Sequence, residues 1–148
     1  MKLKPPTMKA GKHPTWCGPT ALSILTGRTI NYCAKLIAKR RNRRGWYYGK
    51  GTSKQIKGVN NHDMKLALQA MGFDMIQHHE GFGKTLRAYM AARGGPTWKG
   101  LMLINVTNHY VVACKDRVSD NQQHDAHYTE HRCSRKKIER MWLITRRR

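Results

Sequence analysis

The chain has 148 residues, enough for one domain over 1–148 that buries a core without disulfide or metal staples. Lys and Arg number 29 against 8 Asp and Glu, and the resulting charge of +21 exceeds what solubility requires, pointing to a polyanion such as nucleic acid, an anionic membrane surface or an acidic protein. Cysteines at 17, 33, 114 and 133 lack the paired spacing of a disulfide framework, and no run approaches the ~18 apolar residues of a membrane span, so free thiols in a reducing, cytoplasmic setting are expected.

The opening Met-Lys-Leu-Lys-Pro-Pro has no apolar segment after it, which argues against a signal peptide, and residues 1–14 read as an extended lead-in. Thr15-Trp16-Cys17-Gly18-Pro19-Thr20-Ala21-Leu22 then opens a helix: Pro19 is tolerated in a first turn, Ala21, Leu22, Ile24 and Leu25 supply an apolar face, and Gly27 can stop it in the left-handed conformation. Asn31 reads as the cap of a second helix through about Arg41, which runs into the basic stretch Lys39–Arg44. Residues 45–60 are glycine-rich and read as a long surface loop carrying Trp46, Tyr47 and Tyr48.

Asn60 or Asn61 caps a third helix carrying Met64, Leu68 and Met71 and ending at Gly72; Phe73–Ile76 reads as a short strand and Gly81-Phe82-Gly83 as a turn. Thr85 suits the N-cap of a helix over Leu86–Ala92, which Gly94-Gly95-Pro96 terminates. Strands are expected over Leu101–Val106, His109–Cys114, Arg117–Asn121 and Ile138–Thr145. Helices first and antiparallel strands afterwards define the α+β class.

Cys17 at a helix mouth meets the positive end of the helix dipole, which favours the nucleophilic thiolate over the thiol. Such a nucleophile needs a base, and the base needs a partner that holds its tautomer. His109 begins a strand. If Lys115-Asp116 is a two-residue turn, Cys114 faces Arg117, and Asp120 falls on the face of the sheet that His109 occupies; a one-residue slip presents Asn121 instead.

Trp-Cys-Gly-Pro-Thr-Ala at the first helix, His109-Tyr110-Val111-Val112 late in the chain and Ser119-Asp120-Asn121 beyond it resemble the papain-like cysteine peptidase fold, in its compact bacterial and phage branch that includes bacteriocin-processing peptidase domains. The resemblance implies Cys17 as nucleophile, His109 as general base and then acid, and Asp120 as the orienting residue, with Asn121 as the alternative. It implies a thiol hydrolase acting on a peptide or isopeptide bond, with no cofactor and no metal. Amidase or acyltransferase chemistry would use the same triad. One position departs: the family's upstream oxyanion-hole glutamine is replaced six residues before the cysteine by Gly11, leaving His13, Thr15 or Lys12 as donors. The competing reading is a non-catalytic, strongly basic binding protein on the same fold, associated with nucleic acid or a virion.

His124, His127, His131 and Cys133 offer enough ligands for zinc, but they come from one local segment with no second pair to close a site, and they read as a solvated histidine-rich loop. The polyanion surface is expected at Arg40, Arg41, Arg43 and Arg44 together with Arg146, Arg147 and Arg148, with the neighbouring aromatics available for stacking.

Overall fold

A computed structural model of the chain describes residues 17–42, 59–92 and 100–147. Their order is α1 (Cys17–Thr26), α2 (Ile30–Asn42), α3 (Asn61–Ala70), β1 (Phe73–His78), α4 (Leu86–Ala92), β2 (Leu101–Val106), β3 (His109–Cys114), β4 (Arg117–Ser119), β5 (Ala126–His127) and β6 (Ile138–Arg146). The strands form one antiparallel sheet in the order β1-β6-β2-β3-β4-β5, and the fold is α+β. Among the described residues no helix is long and apolar enough to cross a membrane.

α1 is buried from Gly18 to Leu25, on every side rather than on one face, so it is a core helix. Its polar residues are tied to backbone: Ser23 Oγ donates to the Arg28 carbonyl at 2.6 Å and Thr26 Oγ1 to that of Leu22 at 2.7 Å. Gly27 closes the helix at φ 79°. α2 begins two residues earlier than the sequence suggests, because Thr29 Oγ1 accepts from the Tyr32 N–H and takes the capping role expected of Asn31. In α3 the cap is Asn60, whose Oδ1 accepts from the Asp63 N–H at 2.8 Å.

The sheet separates two apolar layers. One face, with Leu101, Leu103, Tyr110, Val112 and Trp142, packs against α1, α2 and α3. The other, with Met102, Ile104, Val111, Val118 and Met141, packs against α4 and Cys133. β2 and β3 are joined through Thr107 (φ 48°) and Asn108 (φ 61°), a two-residue turn whose positive φ angles match the sheet twist and make Val106 and His109 the closing pair. β3 and β4 pair through the expected Lys115-Asp116 turn with Cys114 opposite Arg117. β4 stops at Ser119, two residues short of the expected Asn121, because the Asp120 carboxylate folds the chain back on itself and captures the next backbone donors. β6 runs to Arg146 and β1 to His78, and the two pair in full register from Phe73 opposite Arg146 to His78 opposite Met141.

Candidate active site

Cys17 opens α1, so its sulfur lies where the first-turn N–H groups are unpaired by the helix itself. Burial pushes the thiol up, but hydrogen bonding to His109, the backbone N–H groups of Tyr110 and Gly18 and the nearby imidazole charge outweigh it, and its pKa lies below the usual 9.0. Gly18 matters sterically as well: a Cβ there would sit 2.8 Å from Val59 Cγ2.

His109 stands at the first position of β3, and its Nε2–H donates to Asp120 Oδ2 at 2.7 Å. With Nε2 engaged by Asp120, Nδ1 is the nitrogen left to serve Cys17, the arrangement in which one nitrogen exchanges a proton with sulfur while the other is held. Burial pulls the imidazole down, yet the hydrogen bonds to Asp120 and Cys17 and their negative charges raise it to about 9. Asp120 is buried. That burial opposes its ionisation, but His109, His131 and two backbone donors hold the carboxyl well below its usual range. Its Oδ1 accepts from the N–H groups of Gln122 and Gln123 at 2.9 and 2.7 Å.

Of the residues singled out in the sequence, His109 is hydrogen-bonded to Asp120 and interacts with Cys17. Asn121 is buried as well, but the contact to His109 is made by Asp120. His13, with Lys12, Thr15 and the rest of residues 1–16, lies outside the described residues, and so do Trp46, Tyr47, Tyr48, Arg43, Arg44 and Arg148. Arg40 and Arg41 are described as backbone at the end of α2 only. Arg146 and Arg147 are exposed at the end of β6; Arg147 pairs with Asp74 at 2.8 Å, and Arg146 lies over the Phe73 ring at 5.6 Å.

The histidine-rich segment is not uniformly solvated, which corrects the expectation of a solvated loop. His124 is exposed, but His131 and Cys133 are each 1% exposed, because the chain after Asp120 returns through β5 and tucks them beneath the carboxylate. His131 Nδ1 accepts from the Cys133 N–H at 3.0 Å, which fixes the proton on Nε2 and aims it at Asp120 Oδ1, 3.6 Å away. The Cys133 thiol donates to Asp120 Oδ2 at 3.8 Å; burial, joined by the Asp120 charge, pushes it up to about 11, which disfavours its thiolate. Neither residue carries a local signal that separates it from His124 or His127; only the tertiary return of the chain does.

His109, Asp120 and Cys133 bring three ligand-type atoms within 4.8 Å of one another. The 2.7 Å between His109 and Asp120 is a hydrogen-bond separation, whereas two ligands on one tetrahedral zinc with bonds of about 2.0–2.1 Å stand roughly 3.3 Å apart. The residues as placed fit a shared proton better than a shared ion.

A cleft of about 330 Å³ opens beside Cys17, lined by Val59, Asn60, Asn61, Asn105, Asn108 and Tyr110. Tyr110 donates to Asn61 Oδ1 at 2.6 Å, so its hydroxyl braces α3 across the cleft. No protein-family model matches the chain, and no curated protein matches its sequence.

Proposed function

We propose that the chain is a thiol hydrolase of papain-like type that cleaves a peptide or isopeptide bond. The observation that carries this reading is that His109, hydrogen-bonded to Asp120, also interacts with Cys17 at the head of α1, where Cys17 lines a cleft. In this reading the Cys17 thiolate attacks the scissile carbonyl carbon while His109 holds the proton on Nδ1. Collapse of the tetrahedral adduct breaks the C–N bond, and His109 delivers that proton to the leaving amine. Neutral His109 next takes a proton from water, which attacks the thioester and releases the acid and the restored thiolate–imidazolium pair. Asp120 keeps the ring oriented and stabilises its cationic form.

The cleft supports a neutral, hydrogen-bonding substrate. Among the described residues it is lined by asparagines, a valine and a tyrosine rather than by Lys and Arg. To test the reading, a denatured proteome is incubated with the protein and new amino termini, or released lysine side chains, are identified by mass spectrometry. Bonds cut by the wild type and left intact by Cys17→Ser support it. Cleavage that survives Cys17→Ser, or none with either protein, leaves the basic binding protein.

A further inference from the structure

The charge of this chain has a surface that the two arginine runs do not account for. The turn from Gly81 to Leu86 and the segment Ser134–Ile138 are laced together: Gly83 N–H donates to the Ile138 carbonyl at 2.9 Å, Ile138 N–H to that of Lys84 at 2.8 Å, Leu86 N–H to that of Lys136 at 2.9 Å and Arg87 N–H to that of Ser134 at 2.8 Å. This lacing brings two stretches remote in sequence side by side and leaves Lys84, Arg87, Arg132, Arg135, Lys136 and Lys137 exposed. None of the six is paired with an Asp or Glu among the described residues. Of the acids nearest in sequence, Glu80 contacts His78 and Glu139 accepts from the Asn108 N–H, while exposed Glu130 lies two residues before Arg132. Unpaired cations on a rigid backbone repel one another, and a polyanion relieves that repulsion.

An aromatic ring stands at the end of this ridge. Phe82 is 73% exposed, the most exposed of the large hydrophobic side chains described. It is not a floppy tip. Its N–H donates to the His79 carbonyl at 3.1 Å, Gly83 beside it holds φ 77°, and Gly81 is packed so closely that a Cβ would lie 2.7 Å from Met141 Sδ. Phe82, His78, His79 and Arg140 line a groove of about 190 Å³ to which Glu139 contributes the one acid among its described lining. A fixed, exposed ring next to unpaired cations is a platform for an unpaired base with its phosphates tracked alongside, whereas the bases of a duplex are already stacked on each other.

We infer that the ridge formed by Lys84, Arg87, Arg132, Arg135, Lys136 and Lys137, with Phe82 at its end, binds single-stranded nucleic acid independently of base sequence. This site is separate from the Cys17 cleft in its residues and stands whether or not Cys17 is a nucleophile.

Fluorescence anisotropy with labelled oligo-dT of about 20 nucleotides, longer than a single site of ~4–16, tests this against a duplex of equal length, heparin and poly-glutamate. Binding to oligo-dT should weaken steeply between about 50 and 200 mM salt, and replacing Lys84, Arg135, Lys136 and Lys137 together by Gln should lower the salt slope by about 0.7 for each phosphate that is no longer neutralised. Phe82→Ala should weaken oligo-dT by at least about fivefold and leave the duplex unchanged. Cys17→Ser should bind as the wild type does. An unchanged slope in the Gln variant overturns the inference, as does equal weakening on both nucleic acids in Phe82→Ala. Tighter binding to poly-glutamate than to oligo-dT, or loss of binding only on replacing Arg40–Arg44 or Arg146–Arg147, also overturns it.

Discussion

His109 Nε2 and Asp120 Oδ2 lie 2.7 Å apart across eleven residues of chain, joined by a hairpin and by the turn that Asp120 itself makes. That contact turns a strand-end histidine into an imidazole with one nitrogen fixed and the other free to serve Cys17. It follows that Asp120→Asn, which keeps the shape but removes the charge, should slow Cys17 alkylation at pH 7 by at least about tenfold through loss of the imidazolium, while Asp120→Ala should also destabilise the fold by about 3–5 kcal/mol as a buried, multiply bonded group is deleted. Alkylation kinetics and urea denaturation separate the two effects.

The pH dependence has a definite sign. Burial opposes both charges, but Cys17 ends lowered and His109 raised to about 9, shifts that favour a thiolate–imidazolium pair at pH below about 9. Alkylation of Cys17 should rise at weakly acidic pH, where an ordinary thiol is inert, and hydrolysis should fall above about 9 as the imidazolium is lost. For stability, raised His109 contributes below its ordinary 6.5 and is lost as pH rises through about 9, whereas lowered Cys17 contributes in full only above its ordinary 9.0, so the two offset between 6.5 and 9; depressed Asp120 contributes above its ordinary 3.8 and is lost as pH falls below it. Thermal melts across pH 3–10 should therefore show little change between about 6.5 and 9 and a decline at the acid end that Asp120→Asn flattens.

His131 closes the buried side of the carboxylate. Replacing it by Ala strands the Cys133 N–H and removes the imidazole that faces Asp120 Oδ1, at a cost of about 1–3 kcal/mol for the unpaired donor alone. His131→Asn, which can still accept from that N–H, should recover much of the stability. Denaturation midpoints for the two variants check the order; equal destabilisation in both would show that volume, not the hydrogen bond, is what counts.

Gly18 is a packing requirement. Its substitution by Ala forces a methyl to within 2.8 Å of Val59, which lines the cleft, so Gly18→Ala should cost about 1–3 kcal/mol and shift the Val59 side of the cleft. A melt unchanged from the wild type would contradict this.

Much of this is legible in the chain itself because local signals agree with their surroundings. Pro19 and Gly27 bracket α1, the two-residue spacing of Lys115-Asp116 sets Cys114 opposite Arg117, and that register carries Asp120 toward His109. What is not legible depends on competition between neighbours or on tertiary return. Thr29 outcompetes Asn31 as a cap, Asp120 ends β4 early by taking the next two N–H groups, and His131 is buried only because the segment after β5 folds back under the carboxylate. The pairing of β1 with the C-terminal β6 joins segments more than sixty residues apart, beyond the reach of any hydrophobic period.

The central claim is that Cys17 is a thiolate held by His109, and the rate of iodoacetamide alkylation at about pH 6, read cysteine by cysteine by mass spectrometry, tests it most directly. Cys17 should react far ahead of Cys33, whose thiol is pushed up to about 12 by burial, and of Cys133 at about 11, and His109→Ala should slow Cys17 by about 10²-fold or more. Equal labelling of the four cysteines, or a Cys17 rate that His109→Ala leaves unchanged, would contradict it.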